Sequence, residues 1–327
     1  MGNRREFITK VSVGFCCLAL NNISCLGRNQ KSEKRVVRFG IVSDVHQDLQ
    51  HDAVGRLRSF IDAARQWNPD FIIQLGDLSH GKGLDVINDV WKQFPGKRYS
   101  VMGNHDTDHS TKDIVTRQLN MPARYYSFDS GDVHFVTLDL NYMRKDGVYV
   151  DFEKGNYYKA EMEDRDLISP EELEWLKKDL FEADKPVVIF SHQGLDEVWL
   201  GKGCPNRIEV RNVINEVNKR ENGKVIACFC GHHHVDAYQK IDGVHYFQIN
   251  SASYFWSDKV GHYSNGHMVE YKDALFAFVT LDLDSGQIKM EGVKSEFLPP
   301  APVSTDFDGA DKVYPYISDR IIDIKLS

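Results

Sequence analysis

Three histidines stand side by side in Cys230-Gly231-His232-His233-His234-Val235. Imidazole nitrogens bind Zn, Mn, Fe and similar ions, so one, two, all or none of these rings could serve a metal. The apolar run leading into them reads as a strand. If the backbone stays extended through the histidines, side chains alternate, so His232 and His234 share one side and His233 takes the other. On that reading His232 and His234 are the ligands. Residues of matching chemistry recur along the chain: Asp44 and His46 in Asp44-Val45-His46, Asp77 after Gly76, Asn104, His105 and Asp106 after Gly103, and His192. Carboxylate, carboxamide and imidazole donors suit Mn, Fe or Zn in a reactive centre, whereas a cysteine-rich set would point to structural zinc.

Each of these groups follows a predicted strand. Residues 36–44 and 70–77 read as buried strands, and between them Val54, Leu57, Phe60, Ile61 and Ala64 recur at helical spacing before Asn68-Pro69. Residues 97–106, 185–192 and 224–232 read as strands running into loops, and 123–140 as a hairpin turning at Asp129-Ser130-Gly131-Asp132. Residues 169–180 make the best helix: Ser169 caps it, Pro170 suits its first turn and Glu172 is placed to close a capping box. A second helix is expected over 207–220, and the strands at 245–253 and around Asp284-Ser285-Gly286 add antiparallel character. Alternation early and strands late give an α/β class with mixed sheets. In open α/β sheets sites are built beyond the carboxyl ends of strands, and five such ends here finish in Asp, Asn or His.

The chain of 327 residues carries a formal net charge of −8. Residues 1–25 hold Arg4, Arg5 and Lys10 against Glu6, a net +2, so the remainder stands at −10. Such a protein is a poor general binder of nucleic acid or anionic membrane. The order Arg-Arg-x-Phe-Ile-x-Lys over 4–10, followed by a short apolar run at 11–20, resembles a bacterial twin-arginine export signal. Residues 1–30 are therefore expected to be signal and linker, with an exported, periplasmic or cell-envelope location. Asn22-Ile23-Ser24-Cys25 partly resembles a lipobox that would make Cys25 a lipid anchor, although Asn22 stands where that pattern wants an aliphatic residue. Cys204, Cys228 and Cys230 have no framework spacing and are expected to be buried free thiols.

The ordered series D-x-H, GD, GNHD, a lone His after a strand and GHxH resembles the calcineurin-like metallophosphoesterase family over roughly residues 36–255. That resemblance implies a two-sheet sandwich flanked by helices; the catalytic domain is expected over 36–296, with residues 297–327 as a tail that either packs on it, its last run as a late strand, or ends disordered. It implies Asp44, His46 and His234 on one divalent or trivalent ion, Asn104, His192 and His232 on a second, and Asp77 bridging them. The ions would be Mn, Fe, Zn or a mixture. Two ions about 3.5–4 Å apart clamp a phosphoryl oxygen and lower the pKa of a shared water, which makes a hydroxide nucleophile near neutral pH. The resemblance puts His105 over the substrate, as proton donor or charge stabiliser, with Asp106 orienting its ring by a hydrogen bond. The implied reaction is hydrolysis of a small-molecule phosphoester or phosphoanhydride, nearest to phosphodiesterases and nucleotide diphosphatases, with a monoesterase as rival. A non-catalytic binding protein on the same fold would be expected to have lost ligands, and all seven are present.

Other residues carry weaker signals. His80 stands three after Asp77, where the purple acid phosphatase subgroup of that family places a tyrosine, which speaks against that subgroup; His80 is expected either at the surface or behind the metal ligands, the surface favoured. Tyr142, Tyr149, Tyr157 and Tyr158 lie in a polar insert over 141–168, which is either a lid or stacking rim or a plain surface loop. The aromatic stretch 253–267 is a second rim candidate, and Arg144, Arg165 and Arg207 are candidate phosphate clamps.

Overall fold

In β1 (Val36–Val42) successive side chains point to opposite faces, and both faces are covered. Val37, Phe39 and Ile41 enter a core shared with Phe135, Phe190 and Phe229, while Gly40 lies against Phe60, Ile72 and Phe278 on the other side. The Phe39 ring stacks on Phe71 at 5.2 Å and meets Phe135, Phe190 and Phe229 edge-on at 5.6–5.9 Å. Aromatic pairs of this kind add about 0.5–1.5 kcal/mol each beyond area burial. The computed structural model describes residues 35–199, 203–221, 223–257, 266–302 and 313–324. The export signal and Cys25 lie outside the described residues.

Two six-stranded mixed sheets face each other across this core. The first runs β16 (Arg320–Asp323), β15 (Gln287–Gly292), β14 (Ala277–Asp282), β1, β2 (Phe71–Gln74) and β3 (Lys97–Ser100). The second runs β10 (Ala237–Ile241), β11 (Val244–Gln248), β9 (Val225–Cys230), β8 (Val187–Phe190), β5 (Val133–Thr137) and β4 (Tyr126–Ser130). β1, β2 and β3 are parallel, as are β5, β8, β9 and β11. Helices α1 (Ala53–Trp67), α2 (Leu84–Trp91) and α3 (Lys112–Gln118) pack on the outer face of the first sheet. Helices α4 (Pro170–Glu182) and α5 (Arg207–Arg220) cover the second, completing the four-layer sandwich. The parallel strands of both sheets deliver their carboxyl ends to the same site.

One capping expectation is corrected. Ser169 Oγ does accept from the Glu172 amide (3.2 Å), but the Glu172 carboxylate does not turn back to Ser169. It is fully buried and accepts from the Asp139 amide at 2.7 Å, because α4 packs against the loop after β5 and that backbone donor needs a partner. The insert over 141–168 is a folded element. Its hairpin β6 (Tyr142–Lys145) and β7 (Val148–Asp151) is followed by a 3₁₀ turn at Asn156–Lys159, and Met143, Phe152 and Tyr157 make a core of their own. Strand β12 (Tyr254–Trp256) pairs antiparallel with β13 (Met268–Glu270). Cys204, Cys228 and Cys230 are buried and unbridged. No helix among the described residues is long and apolar enough to cross a membrane.

Candidate metal centre

The loops after β1, β2 and β9 turn on residues with left-handed backbone. Asp44, His46, Asp77, His232 and His234 have φ of 54°, 56°, 52°, 68° and 54°, which L-residues avoid. Several side chains held this way in one place mark a functional site, since each costs about 1–3 kcal/mol that surrounding contacts must offset. This corrects the expected extended backbone through 232–234. The strand ends at Cys230, and the loop is pinned by Gly231 N–H on the His192 carbonyl (3.0 Å) and His232 N–H on Asp44 Oδ2 (3.1 Å). A strand continuing straight would carry the rings past the site, whereas these turns fold them into it.

Two donor clusters result: Asp44, His46 and His234 in one, and Asp77, His192 and His232 in the other. His233 is in neither. In the first cluster His46 Nε2 lies 2.9 Å from His234 Nε2, and Asp44 Oδ1 lies 3.2 Å from the latter. His234 Nδ1 donates to the Tyr254 carbonyl at 2.6 Å, so its Nε2 is a lone pair when the ring is neutral. Asp44 Oδ1 is buried without a hydrogen-bond partner. Lone pairs and a carboxylate oxygen converging on one point in a buried site repel unless a cation lies among them, so these residues fit a metal ion. In the second cluster His192 Nε2 lies 3.1 Å from Asp77 Oδ2, 3.1 Å from Asn104 Oδ1 and 3.2 Å from His232 Nδ1. His192 Nδ1 donates to the Leu75 carbonyl (2.7 Å), again leaving Nε2 for a metal. Asp77 Oδ2 also stands 3.9 Å from His46 Nε2, between the clusters.

The electrostatics match ligand duty. Burial pushes His46 down to about 3, and burial with the neighbouring His192 holds His232 well below its usual value, so both rings are neutral donors. Burial also works against charge on His192, but Asp77 and Asp44 outweigh it and raise the ring to about 10. An ion held there by His192 Nε2 would take the place of that proton.

The expected pairing of His105 with Asp106 is corrected. Asp106 is fully buried and its carboxylate accepts from the amides of Asp77 (3.1 Å), Ser79 (3.1 Å) and Gly103 (2.9 Å). It braces the loops after β2 and β3, and has no oxygen turned to the ring. Burial and the Asp77 charge raise it to about 7, against the pull of those amides. His105 Nδ1 instead meets Asp108 Oδ2 at 2.8 Å. Asp108 also takes contacts from His80 Nδ1 (3.1 Å), Tyr157 Oη (2.7 Å) and Tyr158 Oη (2.9 Å). His80 is thus no surface residue: its Nε2 lies 2.9 Å from His46 Nδ1. Nothing in the spacing of Asn104-His105-Asp106-Thr107-Asp108 separates the two aspartates; only the turn of the 3₁₀ segment His105–Thr107 does.

A cleft of about 360 Å³ opens over this centre. Asn104, His105 and His232 form its floor, and Tyr157, Tyr158, Trp199, Phe255 and Trp256 its aromatic sides. Of the candidate arginines, Arg165 lines the cleft with its Nε 3.7 Å from Asp166 Oδ2, Arg144 is paired with Asp164 at 2.7 Å, and Arg207 donates to the Cys204 carbonyl. The insert and the 253–257 stretch therefore both reach the rim.

The calcineurin-like phosphoesterase family matches residues 37–236. Purple acid phosphatase 23 of Arabidopsis thaliana is 23% identical over 233 residues, covering 58% of this chain and 46% of that protein, so the match spans about half of its length. Among solved structures, a dimetal phosphatase from Danio rerio superposes with a TM-score of 0.61 at 18% identity, over 81% of this chain and 99% of that one. GAP50, the anchor in the inner membrane complex of Plasmodium, superposes with a TM-score of 0.55 at 15% identity, over 90% of each chain. At these identities the two structures speak for the fold alone.

Proposed function

The chain belongs to the calcineurin-like phosphoesterase family, and from that premise we propose that it hydrolyses a phosphodiester or phosphoanhydride of a small organic molecule, with nucleotides the leading candidates. The observation that carries this is the pair of buried donor clusters with Asp77 between them and His105 beside them. Asp44, His46 and His234 would hold one ion, and Asn104, His192 and His232 the other, with Asp77 shared. Two divalent ions would supply Lewis-acid charge and a hydroxide source near neutral pH. Asp77 Oδ1 accepts from the His105 amide (2.8 Å), which ties the imidazole to the bridging position. Burial opposes charge on His105, yet Asp77 and Asp108 outweigh it and raise the ring above its usual value. The ring is thus suited to carry a proton towards a leaving oxygen.

Arg165 at the cleft offers positive charge to a second phosphate or an acidic substituent. The aromatic sides supply flat apolar area for a ring such as a nucleobase, an arrangement that favours a substrate with an organic group on both sides of phosphorus. Export on the Arg4-Arg5 leader is part of the same proposal, and a fusion of residues 1–35 to a reporter that folds before transport tests it.

The function is tested with protein lacking residues 1–30, stripped of metal and then given Mn, Fe, Zn or Mg singly. A chromogenic phosphodiester and its monoester serve as substrates, with Asp77→Ala alongside. Turnover restored by metal, faster on the diester and abolished by Asp77→Ala, is expected. A faster monoester would move the assignment to a phosphomonoesterase. Absence of bound metal would overturn the reading.

A further inference from the structure

We propose that Asp108 is the positioning residue of this centre, one carboxylate that sets the ring tautomers of His105, His80 and His46 and the amide orientation of Asn104. The proposal rests on the metal-centre reading above and goes further, because it gives a role to residues outside the expected ligand set. A neutral imidazole has one N–H, so fixing what one nitrogen does fixes the other.

The first branch begins at the metal. His46 Nε2 faces His234 Nε2 and Asp44 Oδ1 and must offer a lone pair there. Its proton is then on Nδ1, which faces His80 Nε2 at 2.9 Å. That nitrogen must accept, so the His80 proton is on Nδ1, 3.1 Å from Asp108 Oδ2. The second branch is direct: His105 Nδ1–H donates to the same oxygen at 2.8 Å, which leaves Nε2 for the substrate. The third runs through Tyr157, whose hydroxyl donates to Asp108 Oδ1 (2.7 Å) and accepts from Asn104 Nδ2 (3.1 Å). With its amide nitrogen engaged there, Asn104 presents Oδ1 to His192 and His232. Both clusters and the proton donor therefore trace back to one side chain that was not among the expected site residues.

His80, His105 and Asp108 also have the makings of a third metal site. The tautomers argue against it. An ion on His80 Nδ1 would move that ring's proton to Nε2, where it would donate to His46 Nδ1. The His46 proton would then be on Nε2, aimed at the position the first ion needs. Asp108 can serve as a hydrogen-bond acceptor together with two ions, but not as a ligand of a third.

The test compares wild type with Asp108→Asn, which keeps the size but removes the charge and replaces one acceptor oxygen by an NH2 donor, and with Asp108→Glu. In metal-free protein, at a pH high enough to leave the rings neutral, nitrogen-15 NMR of the imidazoles, assigned with His80→Gln and His105→Gln, should show both rings protonated on Nδ1. Asp108→Asn should shift them to Nε2, and Asp108→Glu should restore part of the wild-type pattern. In metal-loaded protein, Asp108→Asn should still bind two ions, about 10- to 100-fold more weakly. At saturating metal, kcat should fall about 100-fold while KM changes little, with the larger loss on esters of poor leaving groups, where a proton donor counts most. Unchanged tautomers and kcat in Asp108→Asn would overturn the proposal, as would a third equivalent of metal lost with the carboxylate. Since the tautomers are read without metal or substrate, a protein that hydrolysed no phosphoester would refute the proposed function and leave this inference to be decided separately.

Discussion

Replacing Gly231 by alanine should damage the metal centre while leaving most of the fold intact. A Cβ at position 231 would fall against Ser43 Oγ inside contact distance, 2.5 Å from Asp44 Oδ2 and 3.0 Å from Ser43 Cβ. None of these atoms can yield freely. Ser43 and Asp44 are buried and bonded to each other, and Asp44 Oδ2 also accepts the His232 amide at 3.1 Å. Overpacking in such a site costs about 1–3 kcal/mol. Losing the His232 hydrogen bond to a carboxylate adds about 1.5–3 kcal/mol. Since part of the clash can relax by moving Asp44, the total should fall near about 3 kcal/mol rather than at the sum. The movement is itself the functional loss, because Asp44 and His234 leave the geometry an ion requires. Affinity at that site should drop about 10- to 100-fold, comparable to losing a residue that orients a ligand. Urea unfolding of metal-free protein gives the stability, and metal content after dialysis against buffered Mn gives the affinity. Gly55→Ala is the control: position 55 is inside α1 with nothing within 4 Å of the new methyl, and it should stabilise by about 0.4–1 kcal/mol. If Gly231→Ala bound two ions as tightly as wild type, the steric account of the loop after β9 would be wrong.

Three further outcomes follow from other parts of the molecule. Lys112 is fully buried, 2.8 Å from buried Asp139 and over the Tyr142 ring at 3.2 Å, so Lys112→Met leaves a carboxylate without its cation. It should cost about 3–5 kcal/mol in denaturant unfolding, and Asp139→Asn in the same chain should recover part of that. His134 lies between Asp129 (2.7 Å) and Asp179 (3.0 Å), which raise its ring despite the opposing effect of burial. Its stabilisation is fully present below the unfolded value near 6.5 and is lost as pH rises through the raised folded value. His134→Gln should therefore destabilise by about 1 kcal/mol at pH 6, discounted for partial exposure, and by less at pH 9. Trp256 is 38% exposed at the cleft rim, and Trp256→Ala should raise KM for an aromatic phosphodiester about 10-fold with kcat little changed, as loss of one stacking face predicts.

The strands at 36–44, 70–77, 185–192 and 224–232 were legible because a strand buried on both faces is a short unbroken apolar run. Helix α5 was legible to the residue from its periodicity, whereas α2, at eight residues, carries too little pattern to stand out. The donor types were equally plain, since Asp, Asn and His at the ends of such strands have few other uses. Hydrogen-bond partners were not legible. Glu172 turned from its own helix cap to Asp139, and His105 passed over its neighbour Asp106 for Asp108, because each carboxylate goes to the donors that the packed loops bring to it. Tyr157 and Tyr158 lie more than fifty residues from Asn104 and His105 along the chain, yet an insert with its own small core sets their hydroxyls on the Asp108 carboxylate that His105 also meets. Sequence alone determined which chemistry the chain could do and which strand ends would hold it. Only the tertiary structure decided which atoms face one another, because burial makes every polar group find a partner in space and sequence adjacency does not rank the choices.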